Sequence, residues 1–133
     1  MKERLKKAER IRAVREQLQR AAEWRLVAIA REKEAIEEQR RALLETLADD
    51  LFGPLLLEHA GRRLGRLAVE AEQANARQQA QEQRVKEEAL AVKRAEHMEE
   101  DARRDAHAAE ERALVGEIAE ASALRPPRDA SFT

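Results

Sequence analysis

His97, Asp101 and Asp105 recur at four-residue intervals. On one helix they would occupy neighbouring turns, and an imidazole with two carboxylates is a donor set for a divalent cation. The spacing matches no ligand motif with a known mechanism, and with 40% of the residues charged such coincidences are common, so a solvated, salt-bridged face is expected and no metal. Adjacent carboxylates at Glu37/Glu38, Glu87/Glu88 and Glu99/Glu100 could supply an acid and a base only inside a cleft that desolvates one of them. The hydroxyl-bearing residues are Thr46, Ser122, Ser131 and Thr133, with no glycine-rich phosphate loop and no nucleophile elbow around them. No catalytic, cofactor-binding or small-molecule site is assigned, and the chain is expected not to be an enzyme.

Two other groups of residues point to binding. Lys2, Arg4, Lys6, Lys7, Arg10, Arg12 and Arg15 form a basic start, spread over several helix faces, that reads either as an ordinary solvated face or as a surface facing an acidic protein, a nucleic acid or an anionic membrane. It has no interleaved aromatics to stack bases, which disfavours nucleic acid. At mid-chain, Leu51, Phe52, Leu55, Leu56 and Leu57 with His59 put large apolar side chains where the chain turns. They read either as a small cap closing the turn or as an exposed tip for a partner. The lone Trp24, beside Leu26 and Val27, is expected to pack in a helix seam.

The elements that must position these residues follow from composition. The chain has 133 residues, of which 27 are Ala and only 30 are larger apolar types, with four Gly, three Pro and three aromatics. Strands need β-branched and aromatic residues and frequent turns, whereas Ala, Glu, Arg, Gln, Leu and Lys favour long helices. The absence of Cys excludes disulfide scaffolds and thiol chemistry. No apolar run reaches the roughly 18 residues of a membrane span, so a cytoplasmic protein is expected. Net charge is −1, yet residues 1–25 carry nine Lys/Arg against four Glu, leaving the rest acidic.

Between Leu5 and Leu51 there is neither Gly nor Pro. Ile11, Val14, Leu18, Ile29, Ile36, Leu43 and Leu47 predict a helix over about 3–51 whose heptad seam is interrupted by one four-residue stutter between Leu18 and Ile29. Gly53-Pro54 breaks it, and a second helix is predicted over about 55–124, with Gly61 and Gly65 weakening its start. Its seam reads Leu64, Leu67, Ala71, Ala74, Val85, Val92, Ala95, Ala102, Ala106, Ala109 and Ala113. Gln78, Gln81, Glu88 and Glu99 interrupt that pattern, which predicts loose pairing or a register shift there. The simplest arrangement is all-α, two long helices in an antiparallel coiled-coil hairpin over 1–125 with a bend near residues 50–61 and a flexible tail over 126–133. In that arrangement Leu114, Val115 and Ile118 should pair with Ile11 and Val14.

A chain of this size, with a basic Met1-Lys-Glu-Arg-Leu-Lys-Lys start, Gln-Arg-Arg-Ala-Leu-Leu at 39–44, a mid-chain bend and a Glu/Gln/Arg/Ala-rich return helix, resembles the central-stalk proteins of bacterial type III export. These are the FliJ family of flagella and its YscO-type injectisome counterparts. In that family the late first helix often carries Tyr or Phe, where this chain has Leu43, Thr46, Leu47 and Asp50. The resemblance implies a non-enzymatic coiled coil whose paired termini enter a hexameric export ATPase while the other end meets the membrane export gate. It also implies escort of export chaperones and a cytoplasmic place, peripheral at the inner membrane. Arg4, Lys7, Arg10, Leu114, Val115 and Ile118 would then contact the ATPase ring, and Leu43, Leu47, Phe52, Leu55, Leu56 and His59 the gate. Two rival readings are a helical nucleic-acid-binding arm and a dimeric coiled-coil spacer in which Gly53-Pro54 is only a kink.

Overall fold

The computed structural model describes residues 2–48 and 53–124. Helix α1 spans Lys2–Leu47 and helix α2 spans Pro54–Ala123, 46 and 70 residues long, and together they form an all-α antiparallel hairpin. Among the described residues there is no strand, and no helix is long and apolar enough to cross a membrane. Residues 49–52, which include Leu51 and Phe52, and the tail expected at 126–133 lie outside the described residues.

The boundaries have local causes. The Gly53 carbonyl accepts from the amides of Leu56 and Leu57 at 3.1 and 3.2 Å, which makes Gly53 the cap of α2 and Pro54 its first helical residue. Proline belongs there because its fixed φ suits the first turn and its missing N–H would have had no partner. Gly53 has no positive φ, so it opens α2 and is not a left-handed terminator of α1. At the end of α1 the Thr46 hydroxyl donates to the Ala42 carbonyl at 2.9 Å, and the Ala48 amide bonds to Leu44 and Glu45. Thus α1 ends at Leu47, short of the expected 51, while residues 54–61 of the expected bend are already helix.

The seam of α2 follows the sequence closely. Ala60, Leu64, Leu67, Ala71, Ala74, Gln78, Gln81, Val85, Glu88, Val92, Ala95, Glu99, Ala102, Ala106 and Ala109 are all buried or half-buried, alternating steps of four and three without a break. The polar members sit in the seam and no register shift occurs. In α1 the buried and half-buried set includes Leu5, Ala8, Arg12, Gln19, Ala22, Leu26, Ile29, Lys33, Ile36, Leu43 and Leu47. These positions keep one heptad register without the expected stutter, although its members Arg15 and Arg40 are exposed. Val14 and Leu18 lie on the exposed side, displaced from the seam by Arg12 and Gln19.

The described residues divide into two compact units. In one, residues up to Val14 pair with those from Lys93. Lys2 lies 4.0 Å from Glu110, Arg4 3.1 Å from Asp105 and Arg12 2.9 Å from Glu99, so Lys2 lies level with Glu110 and no described residue of α1 lies opposite the later turns of α2. In the other, Arg15–Val92, the Gln81 amide donates to the Ala22 carbonyl at 3.0 Å, Arg77 bridges Glu32 at 3.4 Å, and Lys33 donates to Asn75 and Gln78.

Candidate interaction surfaces

Among the described residues these elements build two surfaces and a polar seam. The first surface is the terminal part of the unit containing the start of α1. Arg4 is held by Asp105, while Lys7 is exposed and flanks Ile11, Met98 and Asp101 in a shallow groove. Arg10 is exposed and reaches back to the Lys6 carbonyl at 3.4 Å. Leu114, Val115 and Ile118 are each more than half exposed, and their expected pairing with Ile11 and Val14 does not form. The reason is length. The α1 start reaches only to Glu110, so Leu114 and the residues beyond it continue past their would-be partners. Ile11 instead lies beside Met98 and Ala102. The six residues assigned here do not converge: Arg10 lies a turn behind Lys7, and Ile118 lies about 12 Å beyond Glu110 at 1.5 Å per residue.

The second surface is at the bend end of the other unit. Leu43, Leu47, Leu56 and His59 line one small depression with Ala60 and Arg63, so four of the six assigned tip residues come together. Leu55 faces solvent, 82% exposed, and Leu56 and Leu57 are about half exposed. These three do not form a closed cap. Phe52 lies outside the described residues.

Trp24 corrects another expectation. It is 71% exposed, because Ala22 and Leu26 occupy the seam and a residue midway between them points to the opposite face.

The seam carries the electrostatics. Glu99 is 5% exposed and accepts from Arg12 at 2.9 Å and from Arg103 at 2.8 Å. The hydrogen bond from Arg12 holds the Glu99 carboxyl below the usual carboxylate range; burial works against this, and the charges of Arg12 and Arg103 add to it. Glu88 is less well served. Its Oε1 lies 3.8 Å from Arg84, and its Oε2 is buried without a hydrogen-bond partner. Elsewhere Glu16/Arg20 and Glu100/Arg104 form i,i+4 bridges, and Arg41 pairs with Glu38 one turn before it.

His97 is exposed, Asp101 accepts from Arg104, and Asp105 accepts from Arg4. Among the described residues no three metal-ligating side chains converge. Sequence reasoning missed Arg12, Gln19 and Lys33 as seam residues. The signal was available in register: stepping back by sevens from Leu26 and Ile29 reaches Gln19, Arg12 and Leu5, and Ala22, Arg15 and Ala8. The chain matches no family model, no curated protein and no solved structure.

Proposed function

We propose that this protein is a non-enzymatic stalk of a type III export apparatus, cytoplasmic and peripheral at the inner membrane, that binds an export ATPase ring through its terminal end and an export gate through its bend end. The observation that supports this reading is the exposure of Leu114, Val115 and Ile118 on α2. Past Glu110, α2 displays Leu114, Val115 and Ile118 with no described residue of α1 opposite them, and the basic residues Lys2, Arg4, Lys7 and Arg10 lie on the described start of α1. A single apolar helical turn set beside a cationic flank suits insertion between subunits of a larger assembly. Coupling would be mechanical, through contacts that differ between ring subunits in different nucleotide states.

The test is site-specific photocrosslinking in the native organism, with the crosslinker at Leu114 or Ile118 and, as control, at the exposed Leu90. The expected result is capture of an export ATPase from 114 and 118 and none from 90. Capture of RNA, or only of a second copy of this chain, would move the assignment to a nucleic-acid arm or a dimeric spacer.

A further inference from the structure

The unit that contains the start of α1 and the later part of α2 leaves two surfaces open, and the two are complementary to each other. The first is a groove along one side of the paired helices. Ile11 and Met98 line it over Ala8 and Ala102, and Val14, one turn further along the same side of α1, is more than half exposed. The charged side chains bordering this side are Arg4, Lys7, Arg94, Asp101 and Asp105. Asp105 is taken by Arg4 and Asp101 by Arg104, whereas Lys7 and Arg94 are exposed and form no ion pair with a described residue.

The second surface is α2 beyond Glu110. Leu114, Val115 and Ile118 are each more than half exposed, and they lie off the seam, whose register runs from Ala106 and Ala109 to Ala113 and Gly116. Pairing with α1 therefore does not use them. Around them, residues 110–124 carry Glu110, Glu111, Glu117 and Glu120 against Arg112 alone, while residues 2–14 carry six Lys/Arg against Glu3 and Glu9. One apolar surface is set in acidic chain and the other in basic chain.

Spacing fixes how they would meet. Lys7, Ile11 and Val14 follow steps of four and three, and so do Glu111, Val115 and Ile118. Laid parallel to α1, the α2 of a second copy sets Glu111 beside Lys7, Val115 beside Ile11 and Ile118 beside Val14. Because the helices of the hairpin are antiparallel, the same placement runs antiparallel to the first copy's α2, where it brings Val115 to Met98 and Arg112 to Asp101. Sliding by one heptad instead sets Arg104 against Lys7 and Glu111 against Val14, or Ile118 against Lys7 and Ser122 against Ile11. Met98 and Val115 are about 25 Å apart along α2 at 1.5 Å per residue, so a two-fold antiparallel pair seats each copy in the other's groove at once.

We infer that this end of the protein pairs with a second copy of the same chain, Leu114, Val115 and Ile118 of each copy covering Ile11, Val14 and Met98 of the other. Charge complementarity in the one register that also matches apolar to apolar selects this occupant. The surfaces overlap those proposed for the export ring, so the pair would hide them until the ring is met. Self-pairing needs no export partner and is measured on the purified chain, so either reading can fail alone.

Sedimentation of the full chain over a concentration series is expected to show a reversible monomer–dimer equilibrium. V115S/I118S removes four apolar side chains per dimer and should weaken it at least about tenfold. Lys7→Glu and Glu111→Lys should each weaken it about fivefold, through two ion pairs per dimer, and K7E/E111K should return to within about twofold of the parent. Circular dichroism should show every variant as helical as the parent, since these side chains are exposed. The chain has no Cys, so Val14→Cys and Ile118→Cys report the register. Oxidised together they should give a disulfide-linked dimer, and either alone should not, because like positions lie about 35 Å apart in the pair. A chain that stays monomeric throughout the series would overturn the inference and leave the groove to a different protein. Dimers unchanged by V115S/I118S, no restoration by K7E/E111K, or linkage of Val14→Cys to itself would each overturn it too, by moving the contact to another face.

Discussion

Arg12 Nη1 donates to Glu99 Oε2 at 2.9 Å, joining two seam positions that would ordinarily be filled by apolar side chains. Arg103 completes the arrangement from the next turn of α2, so the buried carboxylate has donors from both helices. One partner crosses between helices, and the other is local. That makes Glu99 a register marker, because sliding the helices by one heptad would leave its charge buried with only the local arginine.

The pH dependence of stability follows from this pair. Glu99 titrates below its ordinary value of 4.5 in the folded chain. Its stabilising contribution is therefore complete above the unfolded-state value and is lost as pH falls through the lowered folded-state value. In thermal melts between about pH 6 and 3, the Tm difference between the parent and Glu99→Gln is expected to be largest at the upper end and to shrink as pH falls. A constant difference across that range would contradict this role.

Glu88 predicts the opposite kind of result. Its buried Oε2 without a partner is a cost the folded state carries, so Glu88→Leu should stabilise the hairpin by about 1–3 kcal/mol in urea unfolding. Gln81→Leu should gain less, since the Gln81 amide already donates to the Ala22 carbonyl.

Packing limits are set by the alanines of α2. Ala74 is 0% exposed, and Ala74→Leu should cost about 1–3 kcal/mol by overpacking. The exposed Ala80, on the same helix, should tolerate the same change within about 0.5 kcal/mol.

Gly61 and Gly65 interrupt neither helix nor packing. A Cβ at either position meets nothing within 4 Å, and neither has positive φ. Gly61→Ala and Gly65→Ala should each raise stability by about 0.4–1 kcal/mol, measured by thermal or urea unfolding.

The seam of α2 was legible because Leu64, Leu67, Ala71, Ala74, Val92, Ala95, Ala102 and Ala106 keep the heptad in apolar residues. The seam of α1 was not, because hydropathy ranks Val14 and Leu18 above Arg12 and Gln19. An arginine whose charge is matched across the interface can hold a seam position that its hydropathy would deny it. Trp24 misled for the same reason: its size suggests burial, while its place between Ala22 and Leu26 dictates exposure. Pairing Leu114, Val115 and Ile118 with Ile11 and Val14 treats the helices as equal in length, whereas the described helices have 46 and 70 residues. The actual register brings Lys2 only to Glu110. The leucines at the bend were legible as a cluster, but their exposure was not, since cap and tip have the same composition.

Past Glu110 no described residue of α1 lies against α2, and this has a mechanical consequence among the described residues. Resistance to bending rises steeply with the cross-section of a beam, so a helix braced by a neighbour is far stiffer than the same helix unbraced. The last described turns of α2 should therefore bend more easily than the paired turns behind them. They can follow an off-axis or irregular seat without straining the paired helices behind them, much as a flexible joint lets a shaft tolerate misalignment.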